Sequence, residues 1–167
     1  MKVHFNALSS EYVYPLCKKE VLRYVSLVFE QGLRKIGEIE FGCNTKTTQE
    51  GRIVQHGDRY NIRINFCLKN LSSTILSNSS VYMNQIKVFA SCVDMDSGLI
   101  TWKLHEAKRY ALFLLFHEIG HIVYSESHSS VKMSGSGTRM EEQWCDRYAM
   151  QMLDVVGCKI VGKMEDE

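Results

Sequence analysis

An excess of charge of either sign is missing from this chain. Its 167 residues set 20 lysines and arginines against 19 aspartates and glutamates, a formal net charge of +1. That balance excludes the broad electrostatic attraction by which proteins collect nucleic acid or anionic membrane. Long apolar runs are missing too. The longest, Tyr110 to Phe116, falls far short of the ~20 residues a membrane span needs. The opening MKVHFNALSSEYVYPL, broken by Glu11, lacks the apolar core of a secretory signal. The expectation is a cytoplasmic protein that binds neither nucleic acid nor membrane. Closely spaced cysteines are also absent: of six, no two lie nearer than thirteen positions, and there is no CxxC. A cysteine-based zinc knuckle is thereby excluded, and without a secretory signal the cysteines read as buried or free thiols.

What remains is an ordinary globular composition, 45% hydrophobic and 23% charged, in a chain long enough for a core without staples. Lys18 to Lys35 carries Val21, Leu22, Val25, Val28, Phe29 and Leu33 at helical spacing, and a short strand follows from Ile36 to Phe41. Thr45 to Glu50 reads as a polar loop. Arg52–Gln55 and Tyr60–Phe66 flank His56-Gly57-Asp58-Arg59 as a hairpin. Leu68 to Ser80 permits one amphipathic helical stretch through Leu71, Ile75 and Leu76. Gln85 to Val93 reads as a strand, then Asp94 to Gly98 as a turn. Ile100 to Ser125 predicts a long apolar helix, Ser125 to Gly137 a loop, and Thr138 to Val156 a second helix stopped by Gly157. No linker divides the chain, so residues 1–167 form one expected domain, with a helix-and-sheet portion (1–98) before two functional helices (99–157).

The chemistry lies on the long helix, in His117-Glu118-Ile119-Gly120-His121. Histidines four apart share a helix face, one turn from each other, and can converge on one metal ion. Glu118, one position on, sits where a carboxylate can hold and deprotonate a metal-bound water. Six histidines and thirteen glutamates at random would produce only about 0.02 such motifs in a chain of this length. The uncharged neighbours, Leu114 to Phe116, Ile119, Ile122 and Val123, imply a buried helix in which His and Glu are costly unless partnered.

A zinc ion needs a third protein ligand. His128 follows His121 by seven positions, but the HExxHxxGxxH pattern would need glycine at 124 and histidine at 127, where the chain has Tyr124 and Ser127. Glu142 is the better candidate. Asp146 shares its helix face four positions on and can accept the ring N–H of a liganding histidine. The alternative is a solvated acidic helix start, favoured by the helix dipole, and Glu141 fits that description well. Cys145 reads mainly as a small residue where two helices cross, and Gly120 likewise.

HEIGH followed by ExxxD on the next helix resembles the gluzincin metallopeptidases. Glu142-Gln143-Trp144-Cys145-Asp146-Arg147-Tyr148-Ala149 is closest to the ligand helix of ImmA/IrrE-like peptidases and similar to that of the HtpX/Ste24 type, with Cys145 where alanine is usual. The resemblance runs from Leu104 to Leu153. It implies one zinc ion held by His117, His121 and Glu142, Glu118 as general base, Asp146 behind a ligand, and hydrolysis of a protein or peptide substrate. Tyr124, His128, Arg139 and Tyr148 are candidates to help stabilise the oxyanion. The expected fold is α+β and zincin-like: an N-terminal helix, a small mainly antiparallel sheet, the HExxH helix and a C-terminal ligand helix. In that fold the strand before the HExxH helix, here Gln85 to Val93, would edge the cleft and pair with substrate; the alternative is an interior strand with no free edge. The alternatives are a binding module without catalysis, or a structural zinc closed by Cys145 or His128.

Overall fold

In the computed structural model the described residues are 1–43, 50–128 and 138–164, with the side chains of the last helix described through Gly157. The first helix, α1 (Lys18–Phe29), forms where Val21, Val25 and Phe29 recur every four residues and are buried. The carboxylate of Glu20 accepts the Cys17 N–H at 2.8 Å and fixes its start. A 3-10 helix, Glu30–Lys35, leads into the strand that centres the larger sheet.

That sheet contains β1 (Lys2–Phe5), β3 (Ile36–Gly42), β4 (Gly51–His56) and β5 (Arg59–Asn65), in the order β1-β3-β5-β4. β1 and β5 run parallel to β3, and only β4 is antiparallel to its neighbour. The one small, mainly antiparallel sheet expected is thus two sheets, of which this larger one is mostly parallel and the second antiparallel throughout. Alternation reveals which face is buried but not which way the neighbouring strand runs, and α1 supplies the crossover that makes β1 and β3 parallel. Ile39, Phe41, Ile62 and Ile64 cover one face, at 0–1% exposure, against α1 and the HExxH helix. Glu38, Glu40 and Arg63 lie on the other. The β4–β5 turn carries Gly57 at φ 63°, a conformation glycine takes without a steric cost.

A second, antiparallel sheet joins β2 (Tyr12–Val13), β6 (Leu68–Lys69), β7 (Ser72–Thr74), β9 (Leu99–Thr101) and β8 (Cys92–Asp94), in that order. Here the helical reading of Leu68 to Ser80 fails. Asn70 and Leu71 take φ of 52° and 58° to turn β6 back onto β7, and Leu71 is an exposed tip. The strand reading of Gln85 to Val93 fails as well. Ser79 accepts the Tyr82 N–H at 3.2 Å and starts a helix, α2 (Ser80–Phe89), that buries Met83, Ile86 and Phe89 three apart. The Asp94–Gly98 turn forms as expected, with Asp94 accepting the Asp96 N–H.

The two remaining helices are α3 (Leu104–Ser127) and α4 (Arg139–Met164), packed along each other. α3 starts later than expected because Leu99–Thr101 joins the sheet. Gly157 does not stop α4. Phe66, Trp102, Tyr110, Phe89 and Phe113 stack in one aromatic cluster that ties both sheets to α3. The result is a mixed α+β fold, and among the described residues no helix is long and apolar enough to cross a membrane.

The cysteines need a correction. Cys43 and Cys67, just past the ends of neighbouring strands β3 and β5, are joined with their α-carbons 5.4 Å apart. Cys17 and Cys92 are exposed free thiols and Cys145 is a buried one. Even spacing along a sequence carries no information about which strand ends meet. The loop expected from Thr45 to Gln49, most of the loop after Ser125, and the end of the tail lie outside the described residues.

Candidate metal centre

α3 stands His117 and His121 one turn apart, their rings edge to face with centroids 5.0 Å apart. Phe113 backs His117 one turn earlier. On another side of α3, Gly120 lets α4 cross closely: a β-carbon there would lie 3.2 Å from the α-carbon of Cys145. Cys145 is fully buried at this crossing, as its small size requires, and burial pushes its thiol up out of the range where thiolates form. The crossing places the acidic start of α4 over the two histidines.

The resulting hydrogen bonds sort by ring nitrogen. His117 Nδ1 meets Asp146 Oδ1 at 2.9 Å, and His121 Nδ1 meets Glu141 Oε1 at 2.8 Å. The Nε2 atoms turn the other way, toward one carboxylate: His117 Nε2 is 3.2 Å from Glu142 Oε2 and His121 Nε2 is 3.7 Å from Glu142 Oε1. A carboxylate that holds the Nδ1 proton of each imidazole leaves Nε2 as the atom that would carry the lone pair for a metal ion, once an ion takes the place of any Nε2 proton. Among the described residues, His117, His121 and Glu142 are the group that could hold a metal ion, their donor atoms lying within 4.8 Å of one another. Two ligands on a tetrahedral ion with ~2.0–2.1 Å bonds stand roughly 3.3 Å apart, so the His117–Glu142 separation already fits, while His121 would have to draw in toward an ion.

The electrostatics favour a cation at this point. Burial lowers the proton affinity of His117, but its bonds to Asp146 and Glu142 and the charge of Glu118 outweigh that and hold it up at about 10. The bond from His117 keeps Glu142 below the usual carboxylate range. Glu118, 6% exposed, is shifted the other way: burial raises it, the two histidines pull it back, and Glu142 raises it again. The Glu118 side chain reaches the start of β4. A β-carbon at Gly51 would overlap its Oε1 and come within 2.9 Å of its Cδ, so any larger residue there would displace the Glu118 carboxyl.

Five residues singled out in the sequence thus come together: His117, Glu118, His121, Glu142 and Asp146. Glu141 is the correction. It is not a solvated helix start but 7% exposed and bound to His121. A signal for it was present, because the buried stripe of α4 (Cys145, Ala149, Leu153, Val156) extends four residues back onto Glu141. His128 stays apart from the group, stacked on Tyr124 at 4.1 Å with Nδ1 on the Tyr124 carbonyl. Tyr124, Trp144 and Tyr148 continue that aromatic run along the helix pair. Tyr148 packs beside Gly120, and Arg139 is exposed at the start of α4.

No protein-family model matches this chain, and no curated protein or solved structure is similar to it.

Residues that hold ligand imidazoles typically change metal affinity by 10–100-fold. Glu141→Ala and Asp146→Ala are each expected to weaken metal binding by about that factor, measured by competition with a chelating indicator. An exposed neighbour on α4, Gln143→Ala, should leave affinity unchanged; equal affinity in all three variants would remove both carboxylates from the site.

Proposed function

We propose that this protein is a zinc-dependent metallopeptidase of the gluzincin type, on a zincin-like fold, that hydrolyses peptide bonds in a protein or peptide substrate. His117 Nε2, His121 Nε2 and a Glu142 oxygen would hold the zinc ion, with Asp146 and Glu141 fixing the imidazoles. The observation that carries the reading is the division of labour among the carboxylates: one faces both Nε2 atoms, two hold the Nδ1 atoms, and a fourth stands beside them without serving as a ligand. A structural zinc closed by Cys145 or His128 has less support, since Cys145 is used up in the helix crossing and His128 stacks elsewhere.

Bound zinc supplies Lewis acidity for the peptide carbonyl and lowers the pKa of water to ~7. The remaining steps belong to the chain. Glu118 takes the proton of the attacking water and returns it to the departing amine nitrogen, and its burial keeps its proton affinity closer to that task than an exposed carboxylate would manage. The substrate-pairing strand is β4 rather than Gln85 to Val93, which is divided between the end of α2 and the start of β8. β4 is the outer strand of its sheet and its first residue touches Glu118, so an extended peptide paired along it would bring a carbonyl to the site.

Native mass spectrometry of the zinc-replete chain tests the metal. One zinc in the wild type and in Gln143→Ala, lost or weakened at least tenfold in Glu142→Ala, is the expected result. A wild type that takes up no zinc would sink the proposal.

A further inference from the structure

Beside the start of β4 lies a cavity of about 350 Å³, at the lower end of the ~300–1,000 Å³ typical of small-ligand sites. Phe66, Leu76, Leu99 and the Cys43–Cys67 link give it a largely apolar wall. Its one carboxyl is Glu50. The Oε2 atom of Glu50 accepts the Tyr110 hydroxyl at 2.6 Å, and Oε1 has no other partner among the described residues and is not sealed from solvent. Lys69 also lines the cavity, but its ammonium is paired with Glu11 at 2.7 Å. Among the described lining residues the cavity thus presents one carboxyl, part-buried and bonded to the Tyr110 hydroxyl, beside an apolar wall that Asn65, Ser72, Ser73 and Thr74 interrupt.

We infer that this cavity is a recognition pocket for one long basic side chain, a lysine or arginine of the peptide substrate, with the apolar wall taking the aliphatic stem and Glu50 the cationic head. The role in cleavage rests on the peptidase reading above; the binding itself does not. Position supports it first. Glu50 is the residue before Gly51, and Gly51 is the residue in contact with Glu118, so a peptide laid along β4 has the pocket and the general base one residue apart. Chemistry supports it second. A carboxylate withdrawn from water with one neutral partner is costly, and a guanidinium or ammonium supplies the missing charge and donors. A neutral apolar side chain would fill the cavity but leave that cost in place. Size supports it third, since the cavity suits a single side chain rather than a folded segment.

The test uses the full chain and two small probes, N-acetyl-arginine methylamide and its norleucine counterpart, titrated by NMR. The arginine probe is expected to bind at least tenfold more tightly than the norleucine probe, and Glu50→Gln should abolish that preference. Equal affinities in the wild type, no binding of either probe, or a preference that survives Glu50→Gln would each overturn the inference. A peptide library with the zinc-loaded chain then separates the two readings. Cleavage with a basic preference that Glu50→Gln removes supports both. Cleavage without such a preference sinks the pocket alone. Arginine-probe binding with no cleavage of any peptide sinks the peptidase reading and leaves the pocket.

Discussion

Glu118→Gln is expected to keep one zinc per chain while peptide hydrolysis falls by roughly 10²–10⁴-fold, the usual contribution of a positioned general base. The zinc is retained because Glu118 lies outside the His117–His121–Glu142 group. Activity is lost because glutamine fills the same space beside Gly51 yet cannot carry a proton from water to amine. Gly51→Ala approaches the same end without touching the carboxyl chemically. Its β-carbon would overlap Oε1 and crowd Cδ, and Glu118, buried on α3, must swing aside. A misplacement of about 1 Å can cost on the order of 10²-fold, so Gly51→Ala should retain zinc and lose turnover by about that factor. Initial rates on a peptide library, read beside zinc content by native mass spectrometry, check both. Hydrolysis undiminished in Glu118→Gln would remove the base from the mechanism.

Glu50→Gln carries the second large effect, this time on stability. Burial pushes the Glu50 carboxyl up to about 7, and the bond from Tyr110 only partly offsets it. Below the ordinary value of 4.5 the group is protonated in both the folded and unfolded chain and costs nothing. Between 4.5 and about 7 the unfolded chain releases the proton while the folded chain retains it, so stability falls as pH rises. Above 7 both forms are ionised and the loss is constant, roughly 3 kcal/mol at ~1.4 kcal/mol per pH unit. Glutamine is neutral throughout and still offers Tyr110 an acceptor. Glu50→Gln should therefore match the wild type near pH 4.5 and exceed it at pH 8 by about 3 kcal/mol, some 6–12 °C in Tm for a chain of this size. Thermal melts at the two pH values decide it: an equal offset at both would show that ionisation of Glu50 is not the cause.

The same two residues mark where sequence reasoning stops. His117, Glu118 and His121 lie within one turn of helix, and Glu142 and Asp146 within another, so helical spacing alone groups them into two sets. That the sets meet depends on Gly120 and Cys145, both legible as small residues at a crossing. Glu141 points about 100° round the helix from Glu142, which set it apart from the candidate ligand, although the stripe through Cys145, Ala149 and Leu153 extends back to it. Glu50 was hidden more deeply. Its partner Tyr110 lies sixty residues on, and nothing local distinguishes it from a loop glutamate. α2 was misread because Gln85 to Val93 is apolar enough for either period, while the decisive cap lies upstream at Ser79. The β4 edge depends on strand order, which the pattern of a single strand does not contain.

The link between Cys43 and Cys67 bears on that edge. Outer strands are ordinarily the first part of a sheet to open, since half their backbone groups have no neighbour. Here the chain leaves β3 at Cys43, passes through Glu50, Gly51 and the whole β4–β5 hairpin, and returns to a covalent knot at Cys67, a ring 24 residues around. Both ends of that ring are pinned at the same corner of the sheet. The knot joins β3 to β5, which are also paired along their length, so the inner strand under β4 is held at its end both covalently and by its ladder. Fraying of the edge is thereby confined to β4, and Glu50, whose carbonyl accepts the Asn65 N–H, sits at the end of β4 nearest the link.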